Sequence, residues 1–414
     1  MPSCRPPDTV ERCCPSLVYH DFMNRTRFAL SLLLTSAWLG AAGHPARAAQ
    51  LVALTPEEDL YADIFASPPE VAAQPDGPYV IAWDDSFSST VGSFSYRYTA
   101  AGEDLGAGVY HKIYSPTGAP AVDAVTAGRQ GFDVFWHTVQ YQGEPTLFYR
   151  AHLNLRGMPE GKPVRLGGTG TEWVWQVRGN GFMAGWPLPG KHGIAARRLT
   201  ASGQRTGPEL RLNSLPVDHL VGVSVVGLAD AGFVAVWLGT TPGSAGTTVL
   251  RARRFSPSGK PLGPDFDVNT APLGGSAPSP GFKVAAAPGG GFAVAWGFAP
   301  GGSLRWFNAS GTPLGPERMT SAPSQSAVFP ESLAFDDRGN LLLLLNLDYE
   351  ALQLRLFDPQ GTPQGPPVNV TSDDTQHPWG GSVAWTGDSW LVTWVAAIPP
   401  YDQSAVFVRR FAKR

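Results

Sequence analysis

Gly232-Phe233-Val234-Ala235-Val236-Trp237 is a glycine turn that runs into an alternating apolar stretch and ends in tryptophan. The same pattern returns as Gly291-Phe292-Ala293-Val294-Ala295-Trp296, Gly181-Phe182-Met183-Ala184-Gly185-Trp186 and Gly131-Phe132-Asp133-Val134-Phe135-Trp136. Looser copies end at Trp83 and Trp394, and Leu341 to Leu345 runs into Asn346 where the others carry tryptophan. The end positions 83, 136, 186, 237, 296, 346 and 394 lie 48 to 59 residues apart. A fixed period of this size outranks any local signal, because each unit buries its apolar face only against its neighbours. Seven units follow.

The second half of the unit is an Arg-aromatic stretch entering a Gly/Pro turn, as in Arg253-Arg254-Phe255-Ser256-Pro257-Ser258-Gly259-Lys260-Pro261-Leu262-Gly263-Pro264. It recurs at Arg198-Leu199 with Gly203 and Gly207, at Trp306-Phe307 with Gly311 and Gly315, and at Leu356-Phe357 with Gly361 and Gly365. Paired glycines after a β run signal a hairpin that needs positive φ. With the apolar stretch before each Gly-Phe turn, the unit holds four strands. The 366 residues from Ala49 to Arg414 divide into seven units of about 52, the size of a propeller blade and unlike the coil of a β-helix or a sandwich domain. The expected fold is all-β: a seven-bladed β-propeller of four-stranded antiparallel blades.

These Gly-Phe-x-Val-x-Trp and Arg-x-Phe-x-x-x-Gly elements resemble the roughly 50-residue repeats of secreted bacterial proteins taken to be β-propellers. The resemblance covers nearly all of 49–414; it implies a fold and carries no catalytic residue. The chain stops soon after Arg409-Arg410-Phe411, the third strand of the last unit, whereas Gln50 to Glu58 resembles the fourth-strand stretches Val368 to Asp374 and Phe266 to Pro272. The N-terminal strand is therefore expected to pair beside Ala405 to Phe411 and close the ring.

Ahead of the repeats, Met23 opens a secretion signal. Arg25 and Arg27 form its charged region, and the uncharged run Phe28 to Gly43 has 16 residues, short of the roughly 20 needed to span a bilayer. Ala46-Arg47-Ala48 supplies small residues for cleavage near Ala48. The expected organisation is a mis-called extension over 1–22, a signal peptide over 23–48 and one propeller over 49–414, in a secreted or periplasmic protein. Cys4, Cys13 and Cys14 all precede the cut, so a disulfide in the mature protein is excluded. Charged residues are 16 % of the chain, against roughly 25 % in ordinary domains, with Gly 48 and Pro 39, which suits short strands joined by tight turns. A net charge of -3 without a basic cluster argues against nucleic acid and anionic membranes as partners.

Turns such as Ala229 to Gly232 and Pro288 to Gly291 are short and uniform; connections such as Trp237 to Thr247, Asn269 to Gly281, Thr371 to Gly381 and Trp394 to Ser404 vary. In an up-and-down blade the variable set shares one face, where recognition belongs. Ligand candidates there are Asp84, Asp85, His137, Asp348, His377, Trp379 and Asp402. Asp84 and His137 follow equivalent tryptophans in adjacent units, so they are expected to converge near the channel mouth as a cation holder or acid/base pair. The repeated tryptophans are expected in the core rather than as sugar platforms. Asn346 reads either as local repacking or as a polar group facing the channel.

No metal-spaced histidines, nucleophile elbow, phosphate-binding loop or EF-hand loop is present, so no cofactor is expected. The preferred reading is a binding or scaffolding module for a glycan or a partner protein. The alternative is a hydrolase or lyase acting on an extracellular polymer, which requires charged groups from several blades at one mouth.

Overall fold

The alternation ending at Trp237 makes a strand, Phe233–Thr240, because successive side chains point to opposite faces and both faces here are apolar. In the computed structural model it is the second of four antiparallel strands with Asp218–Gly227, Thr248–Phe255 and Phe266–Asp267. The structure describes residues 50–64, 68–74, 77–84, 92–99, 103, 109–112, 120–138, 145–168, 170–177, 181–188, 190, 192–243, 248–271, 273, 281–297, 301–320, 328–348, 350–372, 377–398 and 403–414. The extension, the leader and Ala49 lie outside them.

Six such four-stranded blades are present among the described residues. Their inner strands are, in order, Glu70–Ala73, Pro120–Gly128, Trp173–Val177, Asp218–Gly227, Phe282–Ala286 and Val328–Phe335. We number the blades one to six in that order. The remaining sheet, here the terminal sheet, contains His377–Trp385, Trp390–Ile398 and Gln403–Lys413 together with Leu51–Ala53 and Glu58–Ile64.

The expected architecture is thereby corrected in two respects. Six sheets, not seven, are four-stranded blades, and the terminal sheet has five strands. Nor is closure made by one N-terminal strand along Ala405 to Phe411: Leu51–Ala53 pairs only with Phe411 to Lys413, while Glu58–Ile64 faces Ser404 to Val408. The reason is length. Gln403–Lys413 has 11 residues, more than a three-residue strand can cover. The terminal sheet meets blade one through side chains, where Val71, Tyr79, Ile81 and Trp83 pack on Ala384, Leu391, Val395, Val406 and Val408.

Equivalent apolar layers fill every other junction between neighbouring sheets, as where Phe135, Phe148 and Leu166 of blade two meet Phe182, Ala184 and Leu199 of blade three. Each sheet is sandwiched between two others, which is why the Trp strands are apolar on both faces. Trp83, Trp136, Trp237, Trp296 and Trp394 are buried in these layers. Trp186 is half-buried beneath the Arg205 guanidinium, 4.2 Å from its ring.

The Arg-x-Phe element is structural. Arg253, Arg305 and Arg409 lie 5.7, 5.7 and 5.6 Å over the rings of Phe255, Phe307 and Phe411. Their Nε atoms donate to the carbonyls of Gly263, Gly315 and Thr55 at 2.9, 3.3 and 3.0 Å. Gly259 adopts φ +85 in the turn between third and fourth strands, and Gly203, Gly311 and Gly361 do likewise, as the hairpin reading requires. The second glycine is less uniform: Gly207 and Gly365 have positive φ, but Gly263 and Gly315 do not.

Candidate functional site

The inner strands should read as apolar runs, yet several carry a charge near the end fed by the variable connections. Glu70 pairs with Ala82 and Lys283 with Ala295, each one residue short of the tryptophan of its blade. Asp123 and Glu331 occupy bulges, between Val122 and Ala124 and between Pro330 and Ser332. A bulge inserts an extra residue and re-aims its side chain, which is how a strand packed on both faces presents a carboxylate at its inner edge.

These groups share one electrostatic environment. Burial pushes the half-buried Glu70 up to about 7; the Lys283 charge and the Ser382 hydroxyl oppose the shift, and Asp123 and Glu331 add to it. Burial likewise raises Glu331, against the pull of Lys283 and of the hydrogen-bonding neighbour Asn346. Burial also raises Asp123, although its side chain keeps 36 % of its surface. Among the described residues Lys283 makes no direct ion pair with either glutamate, so its charge acts on both across a separation.

Beside this axis a cavity of about 320 Å³ opens between blades two and three, lined by Asp123, His137, Thr146, Phe148, Glu172, Trp173, Val174 and Trp175. His137 Nδ1 lies 2.7 Å from Asp123 Oδ1. That hydrogen bond raises the imidazole above its ordinary value; burial opposes it, and the charges of Asp123 and Asp84 add to it. Burial raises Glu172 on the opposite wall. Trp173 and Trp175 stack with centroids 6.2 Å apart and planes 15° from parallel. Trp175 is seated on Gly185, where any Cβ would fall 2.3 Å from the indole, and its Nε1 donates to the Val223 carbonyl at 3.2 Å. At the other end, a cavity of about 1010 Å³ is lined by six blades, with Gln74, Arg129, Gln130 and Gln176 among small residues.

Of the residues expected from sequence, Asp84 and His137 are brought together, the charge of one acting on the other. Asp84 is buried, and its Oδ1 accepts the Val122 N–H at 3.0 Å, which ties blade one to blade two. Trp379 is a bulged, half-buried residue packed on the layer between the terminal sheet and blade one. His377 is exposed at the start of its strand and pairs with Ala397. Asp348 sits in the turn after Leu341–Leu347 with φ 54. None of these three lines the cavity beside His137. Asp85 and Asp402 lie outside the described residues. Sequence reading missed Glu70, Asp123, Lys283 and Glu331; aligning the inner strands by their distance from the repeated tryptophan exposes them. No group of three or more His, Cys, Asp or Glu among the described residues is arranged to hold a metal ion.

No family model and no curated protein matches this chain. Among solved structures, the chain is similar to a prolyl endopeptidase from a study of two such enzymes, with a TM-score of 0.52 and 13 % identity over 84 % of this chain and 47 % of that one. The fold is a β-propeller. This chain spans about half the length of that endopeptidase, and at such identity the likeness is one of fold alone. Further similarities are to prolyl oligopeptidase B from Galerina marginata (TM-score 0.47, 11 % identity, 86 % of this chain and 50 % of that) and to Kuenenia stuttgartiensis hydrazine synthase (0.47, 11 %, 82 % and 94 %). No helix among the described residues is long and apolar enough to cross a membrane.

Proposed function

We propose that this is a secreted or periplasmic propeller, exported by the leader 23–48, that binds a glycan at the axial mouth on the face fed by its variable connections. The observation carrying this reading is that Glu70, Asp123, Lys283 and Glu331 stand on the inner strands of four different blades at the level of the residue before the repeated tryptophan position, two of them in bulges. The Glu70 carboxyl, pushed up to about 7 by burial, both donates to and accepts from hydroxyl groups near neutral pH, and the adjoining cavity adds aromatic surface at Trp173 and Trp175. Sugars need this pairing of polar atoms with flat apolar faces. A glycan array probed with the protein lacking residues 1–48 tests the reading; a protein that ignores glycans yet binds a protein ligand would refute it.

The hydrolase or lyase reading is favoured by one observation, the Asp123–His137 pair. A carboxylate that fixes one imidazole nitrogen leaves the other to serve as general base. Turnover of a bound oligosaccharide that His137→Gln abolishes without weakening binding would establish it.

A further inference from the structure

The terminal sheet departs from the repeat at the end where the blades make their short turns. In blades four, five and six the phenylalanine closing the third strand enters a turn, at Ser256 to Gly259, Asn308 to Gly311 and Asp358 to Gly361. After Phe411 the chain instead stays extended beside the N-terminal strand. Leu51 pairs with Lys413, and the main chains of Gln50 and Arg414 exchange hydrogen bonds of 2.7 and 2.9 Å. Two basic residues thus stand where the repeat turns.

The first and second strands show another departure. Their last pair before the turn places Ala73, Gly128, Val177, Gly227, Ala286 and Phe335 in blades one to six, and Trp385 in the terminal sheet. Trp385 is half-buried against the buried Trp390, with ring centroids 4.6 Å apart.

Lys413, Arg414 and Trp385 line one cavity of about 820 Å³, whose other wall is the blade-six turn Asp336 to Asn340. Arg338 in that turn adds a third cation. Two of the three acids there are already engaged. Asp336 is buried and accepts the Arg338 and Asn340 N–H groups and the Asn340 amide at 3.0, 2.7 and 2.6 Å. Asp388 pairs with Arg410 at 3.0 Å, which leaves Asp337 as the uncommitted acid. Lys413 Nζ donates to Asn340 Oδ1 at 3.4 Å and keeps further protons free. The guanidinium groups of Arg338 and Arg414 have no hydrogen-bond or ion-pair partner among the described residues. A guanidinium meets a carboxylate through two parallel N–H bonds, and an indole offers a flat apolar face to the C–H side of a sugar ring. A uronic acid carries both features in one residue; a neutral sugar leaves the cations unused, and an inorganic anion leaves the ring unused.

We propose that this cavity binds a uronic-acid saccharide, with its carboxylates held by Arg338, Lys413 and Arg414 and a sugar ring resting on Trp385. The site is separate from the axial mouth and does not depend on the reading given to it. Its cations come from segments far apart in the chain, which is why no basic cluster shows in the sequence.

The experiment is calorimetric titration of the full chain with tetragalacturonic acid and, at equal length, maltotetraose. Tetragalacturonate is expected to bind about tenfold or more tightly than maltotetraose, and to weaken as salt rises. Arg338→Gln and Lys413→Met are each expected to weaken it about tenfold while leaving the melting temperature in place, since each removes a charge-assisted hydrogen bond on the surface. Trp385→Leu should weaken it too, and Trp385→Phe, which keeps a flat ring, should recover most of the loss. Tetragalacturonate binding that survives both charge substitutions, equal affinity for maltotetraose, or no binding of tetragalacturonate would each overturn the proposal. The axial reading would stand in all three cases, because a glycan held at that mouth is indifferent to Arg338→Gln and Lys413→Met.

Discussion

Arg409 Nη1 lies 3.6 Å from Glu57 Oε1, the separation at which Arg253 Nε meets Asp265 Oδ1 within blade four. The parallel extends further. Asp265 accepts the Ser214 and Leu215 N–H groups of blade three at 2.8 to 2.9 Å, and Glu57 accepts the Ser372 N–H at the end of blade six. An acidic residue just before the outermost strand thus ties each of these sheets to the one before it. In the terminal sheet that residue comes from the N-terminal segment.

Glu57→Ala is expected to lower stability by roughly 1–3 kcal/mol, because it leaves the Ser372 amide without its acceptor and removes the counter-charge of Arg409, which keeps the Thr55 and Val370 carbonyls. Hydrogen exchange should quicken at Ser372 and along Ser404 to Val408 while blade four keeps its protection. Unchanged exchange at Ser372 would mean that water replaces the carboxylate without loss.

The core role of the repeated tryptophan predicts an unequal pair of mutants. Trp237→Ala empties a side chain that is 1 % exposed and should cost about 3–5 kcal/mol in chemical denaturation. Trp379→Ala removes a half-buried ring at a bulge and should cost far less. Equal losses at the two sites would place the repeated tryptophan outside the energetic core.

Glu70 makes stability depend on pH with a definite sign. Its carboxyl binds a proton more tightly folded, at about 7, than unfolded, at 4.5, so the folded state holds more protons between those values. The stabilisation is complete below pH 4.5 and is lost as pH rises through about 7. Glu70→Gln should remove that slope and leave the protein more stable than wild type at pH 8, by about 1–3 kcal/mol given its partial exposure. Melting curves of the two proteins that stay parallel across this range would rule out the shift.

His137 should respond to Asp123 in the opposite sense. The hydrogen bond raises the imidazole, so Asp123→Asn should move the His137 midpoint down in an NMR titration. An unmoved midpoint would show that the 2.7 Å contact does not persist in solution.

Gly185→Ala tests the wall of the cavity. The added methyl meets the Trp175 ring at 2.3 Å, so the indole must leave both its seat and its bond to Val223. A shift in tryptophan emission with a stability loss of roughly 1–3 kcal/mol is expected. Wild-type emission would mean that the strand opens to admit the methyl.

The repeat and its strand content were legible along the chain because each has a local cause. A glycine required by a turn and an alternation that buries two faces both act within a few residues of themselves. The burial of the repeated tryptophans followed from the same periodicity. The terminal sheet was not legible: the single closing strand expected from the likeness of Gln50 to Glu58 to a fourth strand is not found, and the division into Leu51–Ala53 and Glu58–Ile64 depends on how far the last strand extends. The axial site was decided by tertiary structure alone. Glu70, Asp123, Lys283 and Glu331 are single charges in four separate strands, and nothing local distinguishes a carboxylate re-aimed by a bulge from one facing water. Their common environment, and the raised proton affinity of Glu70, exist only where folding removes water around several of them at once.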